Sequence, residues 1–131
     1  MNITKILNDY LLENGLKEKV DSIYNDLFPF DDGDCLISRI EPSSAQETSF
    51  IDGSCVGSVT LAYYMRSQNA EVCRNILNAI CDEVDNLALT DGNETEVRFE
   101  SQTLPSFVSE DEKGLVIYSS VIVAKYNRKG E

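Results

Sequence analysis

The sequence predicts an α+β fold in which a mostly antiparallel β-sheet carries two helices packed on one face. The first observation is a change of period within Ser58–Leu87. Residues from Val59 to Met65 alternate between two sides, as in a strand, and apolar residues then recur every three or four positions, as in a helix. The second observation is that two strand patterns close the chain across a short charged connection, without repeated βα alternation, which favours antiparallel pairing.

The first helix is predicted from about residue 2 to residue 14. Gly15 is a suitable stop because glycine adopts the left-handed conformation that ends many helices. The next segment, Leu16–Leu27, fits helical spacing and an extended strand equally well, and Pro29 ends it. The apolar stripe of this helix consists of Ile3, Ile6, Leu7, Tyr10 and Leu11.

The middle of the chain contains one short strand and one polar segment before the central strand. Cys35–Ile40 is predicted as a strand that is apolar on most of both sides. Glu41–Ser49 is polar and interrupted by proline, so we expect a loop. Phe50–Gly57 begins the central strand or crosses over to it.

The second helix follows the central strand directly. Asn69 precedes the helical pattern, and its amide oxygen can cap the free N–H groups of the first turn. A turn is predicted at Thr90–Asn93. The apolar stripe of this helix consists of Cys73, Ile76, Leu77, Ile80, Val84 and Leu87.

The C-terminal third reads as two strands joined by a charged connection. Glu94–Thr103 alternates, so one of its sides is expected to face solvent. Ser106–Gly114 is expected to be a loop, and Leu115–Tyr126 is a long strand rich in β-branched and aromatic residues. Residues 127–131 are expected to fray.

Composition predicts a single globular domain spanning residues 1–131. The net charge of −12 argues against nucleic-acid binding as a main activity, since such affinity comes largely from Lys and Arg. It also argues against binding to an anionic membrane. The sequence shows neither a signal-peptide pattern nor an apolar run long enough to span a bilayer, so we expect synthesis in the cytosol.

Metal sites are not predicted. The four cysteines form no C-x-x-C pair and the chain has no histidine, so a zinc site would need thiolates from scattered positions. Cys73 and Cys81 share a helix stripe and are expected to be buried, unreactive thiols. Asp31, Asp32 and Asp34 suit either a divalent cation or a solvated turn, and the absence of the calcium-loop pattern favours the turn.

No enzymatic activity or cofactor is predicted either. Ser119 and Ser120 lie within a strand, and the histidine that usually activates a serine nucleophile is absent. Gly53 and Gly57 do not form a phosphate-binding pattern. An enzyme would require a pocket lined by carboxylates with shifted pKa values.

The last strand is apolar on both sides, so both sides need cover. One interpretation is that helices cover one side and a second layer or loop covers the other. The alternative is that one side is a subunit interface, where tyrosine is enriched. The two sides consist of Tyr118, Ile122 and Tyr126 on one and Ile117, Val121 and Val123 on the other.

The chain resembles the small minor-capsid and tail-terminator proteins of long-tailed bacteriophages. The resemblance covers nearly the whole chain and is a pattern of elements with a few fixed positions. The matching pieces are Ile3–Gly15, Leu27-Phe28-Pro29, SVTLAYYMRS with Arg66 near its end, AEVCRNILNAICDEVD, and the hairpin from RFESQTLPSF to IYSSVIVAKY.

The resemblance implies a structural protein that forms a homo-oligomeric ring, commonly hexameric, terminating the tail or joining it to the head. Its partners would be copies of itself, the tail tube and head-completion proteins, and DNA would pass through without specific binding. It would reside in the virion, and in the host cytoplasm during assembly. The interface residues expected on this basis are Arg66, Gln68, Asn69, Tyr118, Ile122 and Tyr126. A monomeric cytosolic adaptor with one exposed apolar patch is the alternative.

Overall fold

Two strands of thirteen residues, Cys55–Ser67 and Val116–Arg128, pair along their whole length and form the centre of a sheet. The computed structural model describes residues 3–16, 23–25, 34–41, 46–49, 55–90, 96–112 and 114–128. Within these ranges the elements are α1 (Ile3–Glu13), β1 (Ile23–Asn25), β2 (Cys35–Ile40), β3 (Gln46–Ser49), β4 (Cys55–Ser67), α2 (Ala70–Val84), β5 (Leu87–Thr90), β6 (Glu96–Ser101), β7 (Ser106–Glu110) and β8 (Val116–Arg128).

The described strands form one eight-stranded sheet in the order β1-β2-β4-β8-β6-β5, with β3 also beside β4 and β7 also beside β8. Only β1 and β2 pair in parallel. One half of β4 pairs with β2 and the other with β3, and β8 is divided in the same way between β7 and β6. We call the half made of β1, β2, β7 and the adjoining parts of β4 and β8 the upper half. The predicted α+β fold with a mostly antiparallel sheet is confirmed.

Both helices pack against the same face of the sheet, as predicted. On this helix-covered face, Leu61, Tyr63 and Ile122 are fully buried in one hydrophobic cluster. The predicted stripe of α2 is buried from Cys73 to Val84. Burial of apolar surface is the main stabilising contribution in such a domain. The cluster members from the helices are Ile3, Leu7, Leu11, Cys73, Ile76, Leu77, Ile80 and Val84.

A buried chain of hydrogen bonds fixes α1 on the sheet. The Tyr63 hydroxyl donates to Asn8 Oδ1 at 2.6 Å, and Asn8 Nδ2 donates to Ser38 Oγ at 3.0 Å. All three residues are buried, so each polar group depends on this chain for its partner. Burial also holds the pKa of Tyr63 well above its ordinary value. Since the chain links α1, β2 and β4, it sets where the helix sits on the sheet.

Local signals at the helix ends behave as expected. Gly15 has a φ of 104°, which suits glycine and follows the end of α1 at Glu13. The side chain of Asn69 caps α2 by accepting the backbone N–H of Glu71 at 2.9 Å. The helix ends at Val84, so Leu87 does not extend the helical stripe and instead begins β5.

Two predicted loops are wrong in part. Gln46–Ser49 forms β3, although Glu41–Ser49 was predicted as a loop. Ser106–Glu110 forms β7, although Ser106–Gly114 was predicted as a connection. Both strands lack alternating hydrophobicity, and their main chains pair with the long central strands, which sequence periodicity does not reveal.

The remaining boundaries refine the predictions. The undecided segment Leu16–Leu27 is extended at Ile23–Asn25, and the last strand continues beyond Tyr126 to Arg128. The central strand begins at Cys55. Several predicted features lie outside the described residues: the parts of the undecided segment at 17–22 and 26–27, Pro29, the aspartates at positions 31 and 32, the loop at 42–45, the turn at 91–93, and the tail from residue 129.

Candidate interaction surface

The C-terminal end of β4 and the turn before β8 lie side by side in the upper half of the sheet. Ser67 pairs in register with Val116, which brings the β4–α2 connection next to the β7–β8 turn. Asp111 organises that turn, because its Oδ1 accepts the Leu115 N–H at 2.9 Å. Gly114 has a φ of 85°, which lets the chain reverse into β8.

The edge strand β7 exposes apolar side chains. All five of its residues are exposed, and within the described part of the chain it pairs only with β8. Leu104, Phe107 and Val108 are 75%, 57% and 47% exposed, and we call these three residues the edge patch. Val108 lies at a register shift between Phe107 and Ser109. Exposed apolar edge strands are ready templates for pairing with another chain.

An aromatic and cationic cluster borders the edge patch. The rings of Phe107 and Tyr118 meet edge to face, with centroids 5.7 Å apart and planes at 83°. Arg74 Nη1 donates to the Tyr118 hydroxyl at 3.1 Å, and the guanidinium lies 5.6 Å from the ring centroid. Tyrosine and arginine are the side chains most enriched in the energetic centres of protein interfaces.

The segment between β6 and β7 is fixed to β8 and sets the position of the edge patch. The N–H groups of Gln102 and Thr103 both donate to the Val121 carbonyl, at 2.8 and 3.3 Å. The Val121 N–H donates to Thr103 Oγ1 at 2.9 Å. From Ser101↔Ile122 to Ser106↔Ser119, the chain advances five residues on one strand and three on the other. The insertion shifts β7 out of the register of β6 while keeping it on the sheet.

Three of the expected interface residues lie at this end of the molecule. Arg66 is buried, with 8% of its surface exposed, and pairs in register with Cys35 and Ile117. Gln68 and Asn69 are exposed in the connection to α2, and Asn69 already serves as the helix cap. The connection therefore offers Gln68 most freely to a partner.

The other three expected residues lie on the helix-covered face of β8. Tyr118 is half-buried beside Arg74 and belongs with the edge patch. Ile122 is fully buried in the core, so its side chain does not reach the surface. Tyr126 is half-buried at the opposite end of β8, paired with Gly57 and Val97. The structure brings Tyr118 together with the β4–α2 connection and leaves Tyr126 apart from them.

Sequence reasoning missed Phe107 and Val108 as exposed strand residues. The signal was present: an apolar pair stands between Pro105 and a run of acidic residues. Proline and charge beside an apolar segment are typical of an edge strand. The opposite side of β8, with Val121 and Val123, is half-buried.

Buried thiols and serines in this structure do not form a reactive site. Burial raises the pKa of Cys73 to about 11, and nearby Asp34 contributes in the same direction, so this thiol stays neutral at pH 7. Ser120 is fully buried and its Oγ has no hydrogen-bond partner. Among the described residues there is no group of three or more side chains suited to hold a metal ion.

A shallow charged cleft of about 530 Å³ lies across the lower ends of β4, β6 and β8. Arg98 and Lys125 face each other there in register, an unfavourable arrangement for like charges. Glu96 binds Arg98 at 2.8 Å and Glu100 binds Lys125 at 3.5 Å. The two carboxylates compensate the two cations, so the cleft carries no net positive charge to attract an anion.

Comparison with known proteins supplies no family assignment. No protein-family model matches the chain, and no curated protein sequence is significantly similar to it. In the described residues, no helix is long and apolar enough to cross a membrane.

Proposed function

We propose that the protein is a structural subunit of a long-tailed phage that forms a homo-oligomeric ring at the tail end or head–tail junction. The observation that carries this proposal is the edge patch. Leu104, Phe107 and Val108 present an apolar strand edge that folding of the described chain leaves uncovered. A ring subunit needs such a surface, because every copy must bind a neighbour.

The order of elements supports the assignment to a phage ring. The chain begins with α1, its long strand β4 carries Arg66 next to its last residue, and α2 follows after two residues. It closes with β6 and β7 antiparallel to β8. These are the elements on which the resemblance to tail-terminator proteins rests.

The charge of the chain is compatible with a channel that DNA traverses. A ring of copies that each carry −12 would repel phosphates rather than retain them. The same charge opposes assembly, since neighbouring copies repel each other at distances within the Debye length. Assembly is therefore expected to strengthen with salt or divalent cations.

A monomeric adaptor is the second candidate function, and the edge patch also favours it. An extended peptide from another protein can add to an exposed sheet edge through main-chain hydrogen bonds. In that case the free protein would remain a monomer, and the acidic repulsion between copies would need no compensation.

Native mass spectrometry across protein concentration, with and without millimolar magnesium, tests the proposal. A discrete closed oligomer, seen as a ring with a central opening by negative-stain electron microscopy, is the expected result. A monomer at every concentration in both buffers would contradict self-assembly and favour the adaptor.

A further inference from the structure

The upper half of the sheet has two edges, formed by β1 and β7. Its strand order is β1-β2-β4-β8-β7, and within the described part of the chain β1 pairs only with β2 and β7 only with β8. β1 is parallel to β2, and each following pair is antiparallel. Counting reversals along this order, β7 runs in the opposite direction to β1.

This opposition of direction has a geometric consequence for two copies of the chain. When a second copy is placed beside the first in the same orientation, β7 of one copy meets β1 of the next in the antiparallel sense. Antiparallel pairing of neighbouring strands is the commoner and slightly more stable arrangement. The sheet of one copy would then continue into the sheet of its neighbour.

The side chains at the two edges suit this contact. Tyr24 of β1 is 47% exposed, and Phe107 and Val108 of β7 are 57% and 47% exposed. The residues of β1 are Ile, Tyr and Asn, and β7 has only one charge, at its last residue Glu110. In a chain of net charge −12, these weakly charged edges are where copies approach with the least repulsion.

The two edges also carry opposite isolated charges. Arg74, beside Tyr118 at the β7 edge, has no carboxylate partner within the described residues. Asp34, exposed just before β2, likewise has no ion-pair partner there, and its effect on Cys73 places it on the helix side of the sheet. Head-to-tail contact brings Arg74 of one copy within two strand spacings, about 10 Å, of β2 in the next. At that separation opposite charges still attract across physiological salt.

We infer that copies of this protein bind head to tail by antiparallel pairing of β7 with β1 of the neighbouring copy, an inference that rests on the proposed ring. A two-fold pairing of β7 with β7 would end at a dimer and leave β1 and Tyr24 uncovered. It would also rely on one five-residue edge, whereas stable interfaces bury about 800 Å² per partner. In the head-to-tail arrangement every copy buries both edges, and a rotation between neighbours closes the ring.

Two edge-blocking variants test this contact, because a lysine on an edge strand opposes pairing. Val108→Lys blocks the β7 edge and Tyr24→Lys blocks the β1 edge. Ala88→Lys is the matched control, since Ala88 is exposed on β5, a different edge strand. Each change takes the net charge from −12 to −11, so general charge repulsion falls slightly in all three. Thermal unfolding of each variant confirms that it folds.

Native mass spectrometry then decides between the arrangements. We expect Val108→Lys and Tyr24→Lys to be monomers when separate and to form a heterodimer, and nothing larger, when mixed in equal amounts. The reason is that the mixture contains one intact β7 edge and one intact β1 edge that fit each other. Ala88→Lys should assemble like the wild-type protein.

The outcomes separate this contact from the proposed function. If the wild-type chain assembles and Tyr24→Lys assembles equally well, the head-to-tail contact is wrong while the ring stands. A mixture of the two folded edge variants that stays monomeric also overturns the contact. A wild-type chain that is monomeric under every condition overturns both.

Discussion

The strands β6 and β7 pair with the same long strand, β8, and differ in almost everything else. Along β6, Val97 and Phe99 are fully buried and alternate with exposed Glu96 and Arg98. Every residue of β7 is exposed. One half of the same hairpin therefore contributes to the core, and the other half is held on the sheet mainly by main-chain bonds. The comparison separates residues that determine folding from residues available for binding.

The same difference decided what the sequence revealed. The alternation in β6 predicted a strand with one solvated side, and the structure confirms it. In β7 the pattern Ser-Phe-Val-Ser-Glu gives no period, since a register shift at Val108 interrupts the pairing. Its strand structure depends on β8 and on the anchor at Thr103, neither of which local sequence encodes.

The largest expected effect comes from comparing two phenylalanines on this hairpin. Phe99→Ala removes a fully buried ring and should lower the free energy of unfolding by about 3–5 kcal/mol. Phe107→Ala removes a ring that is 57% exposed and should cost about 1 kcal/mol or less. Urea denaturation monitored by circular dichroism measures both values.

Assembly should show the reverse order. Phe107→Ala is expected to weaken the oligomer in native mass spectrometry, whereas Phe99→Ala should leave the mass unchanged at temperatures where it is folded. Equal losses of stability in the two variants would remove the distinction between the halves of the hairpin.

The second effect concerns the polar chain beneath the helices, which belongs to the folding half of the comparison. Tyr63→Phe removes the hydroxyl that donates to Asn8 at 2.6 Å and leaves a buried acceptor unpaired. The expected cost is about 1–3 kcal/mol in the free energy of unfolding, with no change in assembly. A neutral result would mean that Asn8 finds another donor.

The same tyrosine gives the molecule a dependence on alkaline pH. Burial holds the pKa of Tyr63 above its ordinary value of 10.0, whereas in the unfolded chain the hydroxyl ionises near that value. Above pH 10 the unfolded state therefore binds fewer protons, and stability falls by up to about 1.4 kcal/mol per pH unit from this group. Below pH 10 the contribution is fully present. Wild-type stability should fall more steeply between pH 10 and 11 than that of Tyr63→Phe, whereas parallel curves would contradict this assignment.

The smallest effect tests the anchor between the two halves. Thr103→Val removes the hydroxyl oxygen that accepts the Val121 N–H at 2.9 Å, which should cost about 1 kcal/mol. Amide hydrogen exchange should quicken in β7 and at Val121 while β6 keeps its protection. Thr90→Val, at an exposed position on β5, is the control and should leave exchange in β7 unchanged.

Sequence predicted the candidate surface less well than the fold. Periodicity identified β4, α2, β6 and β8, because each has one buried side that leaves a regular pattern. The expected interface residues were chosen from the two-sided apolarity of β8, yet Ile122 on that strand belongs to the core. A strand covered on one side by helices has the same composition as one covered by a neighbour. The location of the helices, a tertiary property, distinguishes the two cases.

Hydrogen exchange on assembled and dissociated wild-type protein tests the division between β6 and β7 most directly. The amides of β7 and β1 should gain protection on assembly because they acquire main-chain partners, while β6 should show the same protection in both states. Protection that appears elsewhere, with β7 unchanged, would contradict the assignment of β7 as the binding half of the hairpin.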